Sequence, residues 1–205
     1  MKNTKEVILS TALELFNSEG LSKVTLRSIA NKMKISQGNL NYHFKKREVI
    51  IETLYFQLVK NIDENISDSM GKENVLEVLL GISNRIMYDF FEYRFFLLDF
   101  VQIIRENKVI REHYFKLTKQ REQQFAMFFN LLIVDKIMRK EILSNEYGNL
   151  YKRLQILGDF WISSAETESH LLTKKVIPKY SELINQTIFP YLTDKGKKEY
   201  GKLVD

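Results

Sequence analysis

The chain has 205 residues, enough for one or two domains, and 44% of them are hydrophobic, which excludes an intrinsically disordered chain. It contains no cysteine, so disulfides and thiolate metal sites are excluded, and its longest apolar runs, residues 95–98 and 127–134, are shorter than the ~20 residues of a membrane span. The net charge of +5 is unevenly distributed, because residues 1–47 carry nine basic and three acidic side chains and the remainder is nearly neutral.

This charge asymmetry predicts a polyanion-binding module joined to a neutral domain, although a solvated basic face without a partner is an alternative. Residues 1–8 lack the apolar run of a signal peptide, so we expect a cytoplasmic protein without membrane contact. With only two prolines and eight glycines, the chain favours long helices, and we predict an all-α fold.

Two helices are predicted at the start of the chain. The first, residues 5–19, has an apolar stripe at helical spacing and is followed by Gly20, a residue typical of helix ends. The stripe consists of Ile8, Ala12, Leu15 and Phe16. The second begins after Thr25, a suitable N-cap, and has its own stripe. This stripe consists of Leu26, Ile29, Ala30 and Met33.

A short third helix, residues 37–44, is predicted after the N-cap candidate Ser36. Leu40 and Phe44 point inward, while Gln37 and Asn41 share another face. A short helix that presents mainly a polar face stabilises itself poorly, so we interpret it as a recognition helix. Two short helices joined by a tight turn within a basic segment indicate a helix-turn-helix, whose second helix enters the major groove of DNA.

The remaining chain is also predicted to be helical. A fourth helix runs from about residue 47 to 67, followed by a linker at 70–73. Further helices are predicted at 74–91, 93–106, 108–142, 147–166 and 173–192, of which 108–142 is either kinked or two helices. Pro178 either interrupts the last helix or marks its first turn. The basic tail, residues 195–198, is expected to fray.

The N-terminal motifs resemble the TetR (tetracycline repressor) family. The resemblance rests on TLRSIA at 25–30 and ISQGNLNYHFKKRE at 35–48, with ALELF at 12–16 and EG at 19–20, and covers roughly residues 4–60. It implies a homodimer of nine or so helices per chain with a DNA-binding head. We assign residues 1–47 to the head (reading unit about 25–44), 48–68 to a connecting helix and 69–205 to a helical ligand-binding and dimerisation domain.

The resemblance also implies which residues contact double-stranded DNA. The phosphate contacts are Thr25, Ser36, Tyr42 and Lys46, and the base-edge residues are Gln37, Gly38, Asn39, Asn41 and His43. Arg27 completes the predicted DNA-binding set. Alternatively, Tyr42 packs, His43 caps or packs, and the basic residues 45–47 are ordinary solvated charges.

Two positions depart from the family pattern. Lys34 replaces a common turn glycine, at a modest cost in strain if φ is positive there. Asn41 replaces an aromatic residue and is able to bond adenine.

No catalytic, cofactor or metal motif is found in the remainder, since His113 and His170 lack ligand spacing and no Gly-x-Ser-x-Gly or Gly-rich phosphate loop occurs. Aromatic density instead predicts a pocket for a small apolar or aromatic ligand, with core or dimer packing as the alternative. The predicted lining is Tyr88, Phe91, Phe95, Phe96, Phe100, Phe125, Phe128, Phe129 and Trp161. The polar anchor candidates are Arg94, Gln102, Asp159 and Glu166.

A stripe on the last predicted helix indicates either a dimer surface or internal packing. It consists of Leu183, Ile184, Thr187, Ile188 and Tyr191. The function predicted from these features is a ligand-responsive repressor that leaves a pseudo-palindromic operator when a small apolar ligand binds. The alternatives are an all-α small-molecule-binding protein or enzyme without specific DNA binding, and a DNA-binding protein that uses protein contacts alone.

Overall fold

The computed structural model describes residues 3–69, 74–168 and 172–204, and every secondary-structure element named within these ranges is a helix, which confirms the all-α prediction. The α-helices of this part of the chain are α1 (Thr4–Glu19), α2 (Leu26–Met33), α3 (Gln37–His43), α4 (Arg47–Ser69), α5 (Val75–Glu92), α6 (Arg94–Leu98), α7 (Phe100–Glu106), α8 (Lys108–Val134), α9 (Glu146–Glu168), α10 (Ile177–Gln186) and α11 (Asp194–Val204). Single 3-10 turns, Lys174–Val176 and Phe189–Tyr191, flank α10. The predicted linker at residues 70–73 lies outside the described residues.

The first three helices enclose a small apolar core. Helix α1 begins with a capping box, in which the side chain of Asn3 accepts a hydrogen bond from the Lys5 N–H and the Glu6 carboxylate accepts one from the Asn3 N–H. It ends at Gly20, whose φ of 84° is accessible to glycine at little cost. The predicted stripe is buried at all four positions, Ile8, Ala12, Leu15 and Phe16.

Helix α4 belongs to both halves of the molecule. At its start, Nη1 of Arg47 donates hydrogen bonds to the carbonyl oxygens of Leu21 (3.0 Å) and Val24 (3.2 Å), which ties α4 to the loop between α1 and α2. Its apolar stripe at helical spacing is buried at all five positions, Ile51, Leu54, Tyr55, Leu58 and Ile62. One continuous apolar cluster therefore extends from the head along α4 into the C-terminal half.

The prediction of a single helix over residues 93–106 is wrong. The chain bends at Asp99, between α6 and α7, where φ is −102° and ψ is 18°. The Asp99 carboxylate accepts a hydrogen bond from the Leu21 N–H (3.3 Å), and the Asn17 side chain bonds the Glu92 carbonyl (2.7 Å) and the Phe95 N–H (3.0 Å). Bonds from the head thus stabilise a bend that helical periodicity does not reveal.

The C-terminal boundaries also differ from prediction. Helix α8 ends at Val134, and the chain reverses at Lys136, where φ is 60°. Pro178 lies in the first turn of α10, which decides between the two sequence readings. The expectation of a frayed tail is wrong, because residues 195–198 belong to α11. This helix packs tightly: Tyr200 is buried, and a Cβ at Gly196 would lie 2.2 Å from the Ile137 carbonyl oxygen.

Candidate nucleic-acid interface and ligand cavity

Helices α2 and α3 are joined by a tight, well-capped turn. Oγ1 of Thr25 accepts a hydrogen bond from the Ser28 N–H (3.1 Å), and the Thr25 N–H donates to Oγ of Ser28 (2.9 Å). Helix α2 ends at Lys34 in the left-handed region (φ 57°, ψ 35°), and the Ile35 N–H donates to the Ala30 carbonyl (3.1 Å). This geometry requires positive φ at a position occupied by lysine, and so confirms the source of strain expected from the sequence.

Helix α3 buries one side and exposes the other. Its N-cap Ser36 accepts a hydrogen bond at Oγ from the Asn39 N–H (3.2 Å), which leaves the hydroxyl hydrogen free to donate to a phosphate. Leu40 and Phe44 are buried and anchor the helix to the head. Tyr42, in contrast, is 84% exposed. An aromatic side chain this exposed adds almost nothing to the core, so packing does not explain its presence.

The basic residues around α3 differ in their partners. Lys32 pairs with Glu14 (3.1 Å), and Arg47 is engaged by the carbonyls of the α1–α2 loop. Among the described residues, no carboxylate lies within 4.0 Å of Arg27, Lys34 or Lys46, all three of which are exposed. These three charges are therefore available to a polyanion, whereas Arg47 has a structural role.

The C-terminal half contains an apolar cavity of about 210 Å³. Its lining comes from α4, α5, α6, α8, α9 and α10, and α4 alone contributes Tyr55, Leu58, Val59, Ile62 and Ile66. A cavity of about 150 Å³ lined by aliphatic and aromatic side chains takes up one benzene molecule. The present cavity thus has room for a ligand somewhat larger than benzene.

A small polar cluster lies in the wall of this cavity. The Tyr114 hydroxyl donates a hydrogen bond to Oδ2 of Asp159 (2.6 Å), and Nε2 of Gln155 donates to the Tyr114 oxygen (3.1 Å). Burial raises the pKa of Asp159 to about 6, and the hydrogen bonds from Tyr114 and Gln155 oppose that shift. Arg121, which lies on α8 like Tyr114 and also lines the cavity, forms an ion pair with Asp63.

Comparison with known proteins identifies the relatives of the chain. Residues 8–54 match the family model of bacterial regulatory proteins of the tetR family, and residues 57–200 match the TetR model described as a bacterial transcriptional repressor. The chain belongs to the TetR family. The two family models describe transcriptional regulators and not enzymes, which counts against the sequence-based alternative of an all-α enzyme.

Individual TetR-family relatives are distant in sequence. The regulator YerO of Bacillus subtilis is 28% identical over 143 residues, which are 65% of this chain and 47% of YerO. QacR of Staphylococcus aureus is 25% identical over 178 residues, 85% of this chain and 82% of QacR. The chain thus spans about half the length of YerO and 42% of the Bacillus subtilis regulator YttP.

The fold is shared with solved TetR-family structures. A regulator from Marinobacter aquaeolei superposes with a TM-score of 0.85 at 22% identity, covering 98% of both chains. The ketosteroid transcriptional regulator KstR2 of Mycobacterium tuberculosis superposes with a TM-score of 0.75 at 15% identity, covering 95% of this chain and 97% of KstR2. At these identities the likeness shows the architecture alone.

The structure places the residues predicted for DNA binding on one small module. Nine of the ten are exposed, and only His43 is partly buried, with its ring edge-on to Tyr42 at 5.2 Å between centroids. The exposed nine are Thr25, Arg27, Ser36, Gln37, Gly38, Asn39, Asn41, Tyr42 and Lys46. Their contacts with DNA stay a prediction, and their exposure in the TetR-family head is compatible with it.

The residues predicted to line a ligand pocket are divided by the structure. Phe96, Phe125 and Phe128 line the cavity, as does the anchor candidate Asp159. The other aromatic candidates and the anchors Arg94, Gln102 and Glu166 do not belong to its lining. The excluded aromatic residues are Tyr88, Phe91, Phe95, Phe100, Phe129 and Trp161.

The excluded aromatic residues have other surroundings. Phe95 stacks on Phe16 of the head with 5.1 Å between ring centroids, and Trp161 packs on Tyr180 at 5.4 Å. Phe91, Phe100 and Phe129 are buried in apolar packing, whereas Tyr88 is 42% exposed. An aromatic residue fills a core as readily as it lines a cavity, so aromatic density alone did not separate the two.

The sequence reasoning missed most of the actual lining. Aliphatic residues of α4 and α5 and the polar pair Tyr114 and Gln155 were not predicted. The available signal was the pair Gln155 and Asp159, four residues apart and therefore on the same face of α9, next to Gly158. This signal does not identify a cavity by itself, because the cavity forms only where five other helices pack around α4.

The stripe proposed as a dimer surface is divided between three environments. Ile188 is buried, Ile184 contributes to the cavity lining, and Leu183 is 44% exposed. Exposed apolar residues on the neighbouring α9 are Ile156 and Phe160. No helix in the described part of the chain is long and apolar enough to span a membrane, and no cluster suited to a metal ion occurs there; His170 lies outside the described residues.

Proposed function

We propose that this TetR-family regulator is a cytoplasmic, ligand-responsive repressor that binds DNA as a homodimer and leaves its operator when a small ligand fills the cavity. The observation that carries the proposal is the double role of α4. Its first turn is bonded to the head through Arg47, and five of its residues form part of the cavity wall. A ligand that displaces α4 therefore has a direct mechanical route to the recognition helix.

The exposed face of α3 supports the DNA-binding part of the proposal. Gln37 and Asn41 offer amide groups suited to base edges, and Gly38 allows close approach of the backbone. Two such heads in a dimer must lie ~34–36 Å apart, or a multiple of this distance, to enter successive major grooves. The operator is then a pseudo-palindrome that reflects the symmetry of the dimer.

The exposed apolar residues of α9 and α10 support dimerisation. Ile156 and Phe160 are four residues apart on α9, and Leu183 is exposed on the adjacent α10. In an isologous contact the same surface of each copy faces the other, so all three residues would be buried on both copies. The polar surface of α2 and α3 is left free by such an arrangement.

The cavity favours ligand control over control by protein contacts alone. A regulator without a ligand has no need of an unfilled apolar space, since cavities reduce stability. One fold neighbour, with a TM-score of 0.72, is a gamma-butyrolactone receptor, which supports a small-molecule role for this architecture. The ligand shifts the equilibrium only by the difference between its affinities for the two states.

A DNA-binding titration tests the proposal. Fluorescence anisotropy compares the DNA upstream of the protein's own gene with random DNA of equal length, and we expect affinities at least about 10³-fold apart. The Ser83→Trp variant places an indole in the cavity and is expected to weaken specific binding. Asn84→Trp, on the exposed side of the same helix, is the matched control.

Two outcomes contradict the proposal. Equal affinity for upstream and random DNA would contradict the assignment as a repressor with a specific operator. Unchanged specific binding by a folded Ser83→Trp protein, as judged by circular dichroism, removes the link between the cavity and the head.

A further inference from the structure

The carboxylate of Asp159 is the most unusual group in the cavity wall. It lies on α9 within a lining that is otherwise mainly aliphatic and aromatic. Among the described residues, every hydrogen bond to this carboxylate is made to Oδ2, from the Tyr114 hydroxyl (2.6 Å) and from Nε2 of Gln155 (3.4 Å). Both donors are neutral, so the local bonds do not balance a negative charge on Asp159.

The charges of the cavity wall do not cancel. Arg121 also lines the cavity, but its guanidinium is paired with Asp63 of α4 and donates to Oε1 of Gln124 (2.8 Å). In the described part of the chain, no lysine, arginine or histidine nitrogen lies within 4.0 Å of Asp159. The exposed Lys152 lowers the pKa of Asp159 from a longer distance, and its effect is smaller than that of burial. The cavity therefore has one compensated cation and one uncompensated anion. Asp159 is partly buried, and a carboxylate withdrawn from water without a cationic partner is destabilised.

Aromatic rings surround the space next to Asp159. The neighbouring Gly158 has no side chain, and the Phe90 ring lies 3.9 Å from the position that its Cβ would occupy. Tyr114 of α8 and Tyr151, about two turns before Asp159 on α9, also line the cavity. The faces of such rings attract cations, most strongly where water is excluded.

We propose that the ligand of this cavity is a small lipophilic organic cation whose ammonium head pairs with Asp159 and whose apolar body fills the remaining space. This inference rests on the proposed function of the cavity as the ligand site. A carboxylate or sulfonate ligand is disfavoured because it would meet Asp159 while Arg121 is already paired. A neutral ligand would leave the Asp159 charge without its counter-ion.

Three probes of equal size separate these ligand classes. Phenyltrimethylammonium, tert-butylbenzene and benzenesulfonate share one ring and a tetrahedral head, and they differ mainly in charge. Isothermal titration calorimetry on the full chain at pH 7.5 measures the three dissociation constants. We expect the cation to bind at least about tenfold more tightly than the neutral probe and the anion to bind least.

The variant Asp159→Asn tests whether the preference originates at this carboxylate. Asparagine keeps the shape and still accepts a hydrogen bond from Tyr114, so the fold is expected to persist. Affinity for the cation should fall at least about tenfold, while affinity for tert-butylbenzene stays within about twofold. Glu166→Gln, which removes a charge from the same helix outside the cavity, should leave all three affinities unchanged.

The possible results distinguish this inference from the function on which it rests. If tert-butylbenzene binds as tightly as the cation, or if the preference survives in Asp159→Asn, the cavity is a ligand site but the ligand is not a cation. Should none of the three probes bind, the cavity is not a ligand site for molecules of this size, and both proposals are overturned. A thermal melt of the unliganded variant confirms that any loss of binding is not a loss of folding.

Discussion

The phenol oxygen of Tyr55 lies 2.8 Å from Nδ1 of His113, and this hydrogen bond joins α4 to α8 beside the cavity. Burial raises the pKa of Tyr55 and lowers that of His113, so both groups are uncharged at neutral pH, and the hydrogen bond joins a neutral phenol to a neutral imidazole. The Tyr55 ring also lines the cavity. One side chain thus lines the cavity and bonds α4, the helix that leaves the head, to α8.

Removing this bond should cost stability. In Tyr55→Phe the His113 nitrogen loses its hydrogen-bond partner while the ring packing is preserved, and we expect the free energy of unfolding to fall by about 1–3 kcal/mol. Urea denaturation measures the change. Tyr88→Phe, at a tyrosine that is 42% exposed, is the control and should change stability by less than about 0.5 kcal/mol. Equal effects of both variants would show that the bond is energetically unimportant.

Lys46 should contribute to DNA affinity without regard to sequence. Its charge is exposed and has no carboxylate within 4.0 Å in the described residues, so Lys46→Ala is expected to weaken binding to specific and random DNA by the same factor. The slope of log K against log salt should become shallower by about 1 for each head. Lys60→Ala, an exposed charge on α4 paired with Glu64, should leave the slope unchanged. A selective loss on specific DNA alone would reassign Lys46 to base recognition.

Asn41 should instead affect the choice between DNA sequences. Its side chain is exposed on α3, where an amide is able to bond adenine through two hydrogen bonds. We expect Asn41→Ala to reduce affinity for the operator by the equivalent of about 1–3 kcal/mol and to leave affinity for random DNA nearly unchanged. Competition titrations with operator variants measure this preference. An equal loss on both DNAs would contradict a base contact.

Replacement of Lys34 should separate stability from binding. Its φ of 57° is strained for lysine, so Lys34→Gly is expected to stabilise the fold by about 0.5–1 kcal/mol after the greater chain entropy of glycine is deducted. The same change removes an exposed basic group and should weaken DNA binding. Lys136→Gly is matched in backbone conformation, with φ 60°, but lies outside the head, so it should gain stability without a change in affinity. Weaker DNA binding by both variants would point to an indirect effect.

The pKa of Asp159 predicts a pH-dependent stability. Because burial raises this pKa from 3.8 to about 6, the native state binds more protons than the unfolded state between these values, and the free energy of unfolding falls as pH rises through that window. Tyr114 and Gln155 donate hydrogen bonds to Asp159, and Tyr151 and Lys152 interact with its charge.

Burial raises the pKa of Tyr114 and of Tyr151 above the ordinary tyrosine value, so neither tyrosine titrates between pH 4.5 and 7.5. Asp159→Asn should therefore gain stability relative to the unmodified chain as the pH rises from 4.5 to 7.5, by about 2 kcal/mol. Urea denaturation at three pH values measures the gain, with Glu166→Gln as the control. A difference that does not vary with pH would show that Asp159 is not buried as an acid of raised pKa.

The head of the molecule was largely predictable because its signals are local. Capping by Thr25 and Ser36 and the end of α1 at Gly20 involve residues within a few positions of one another, and each was found where predicted. The third helix was nearly correct, ending at His43 and not Phe44. Its exposed face also followed from spacing, since Leu40 and Phe44 had to point inward together.

The cavity was decided by contacts between distant segments. Phe95 and Phe96 are adjacent in the chain, yet one stacks on the head and the other faces the cavity, because α6 packs between two partners. Asp99 bends the chain through a bond to Leu21, 78 positions away, and no local pattern encodes that partner.

The sequence by itself determined the helical class, the recognition module and the charge available to DNA, since these depend on the periodicity and chemistry of neighbouring residues. Only the tertiary structure decided which apolar faces meet and where they fail to fill space. A void is formed by several surfaces at once, and no local sequence pattern encodes the lining of this one, to which α4 contributes one wall and Asp159 a carboxylate.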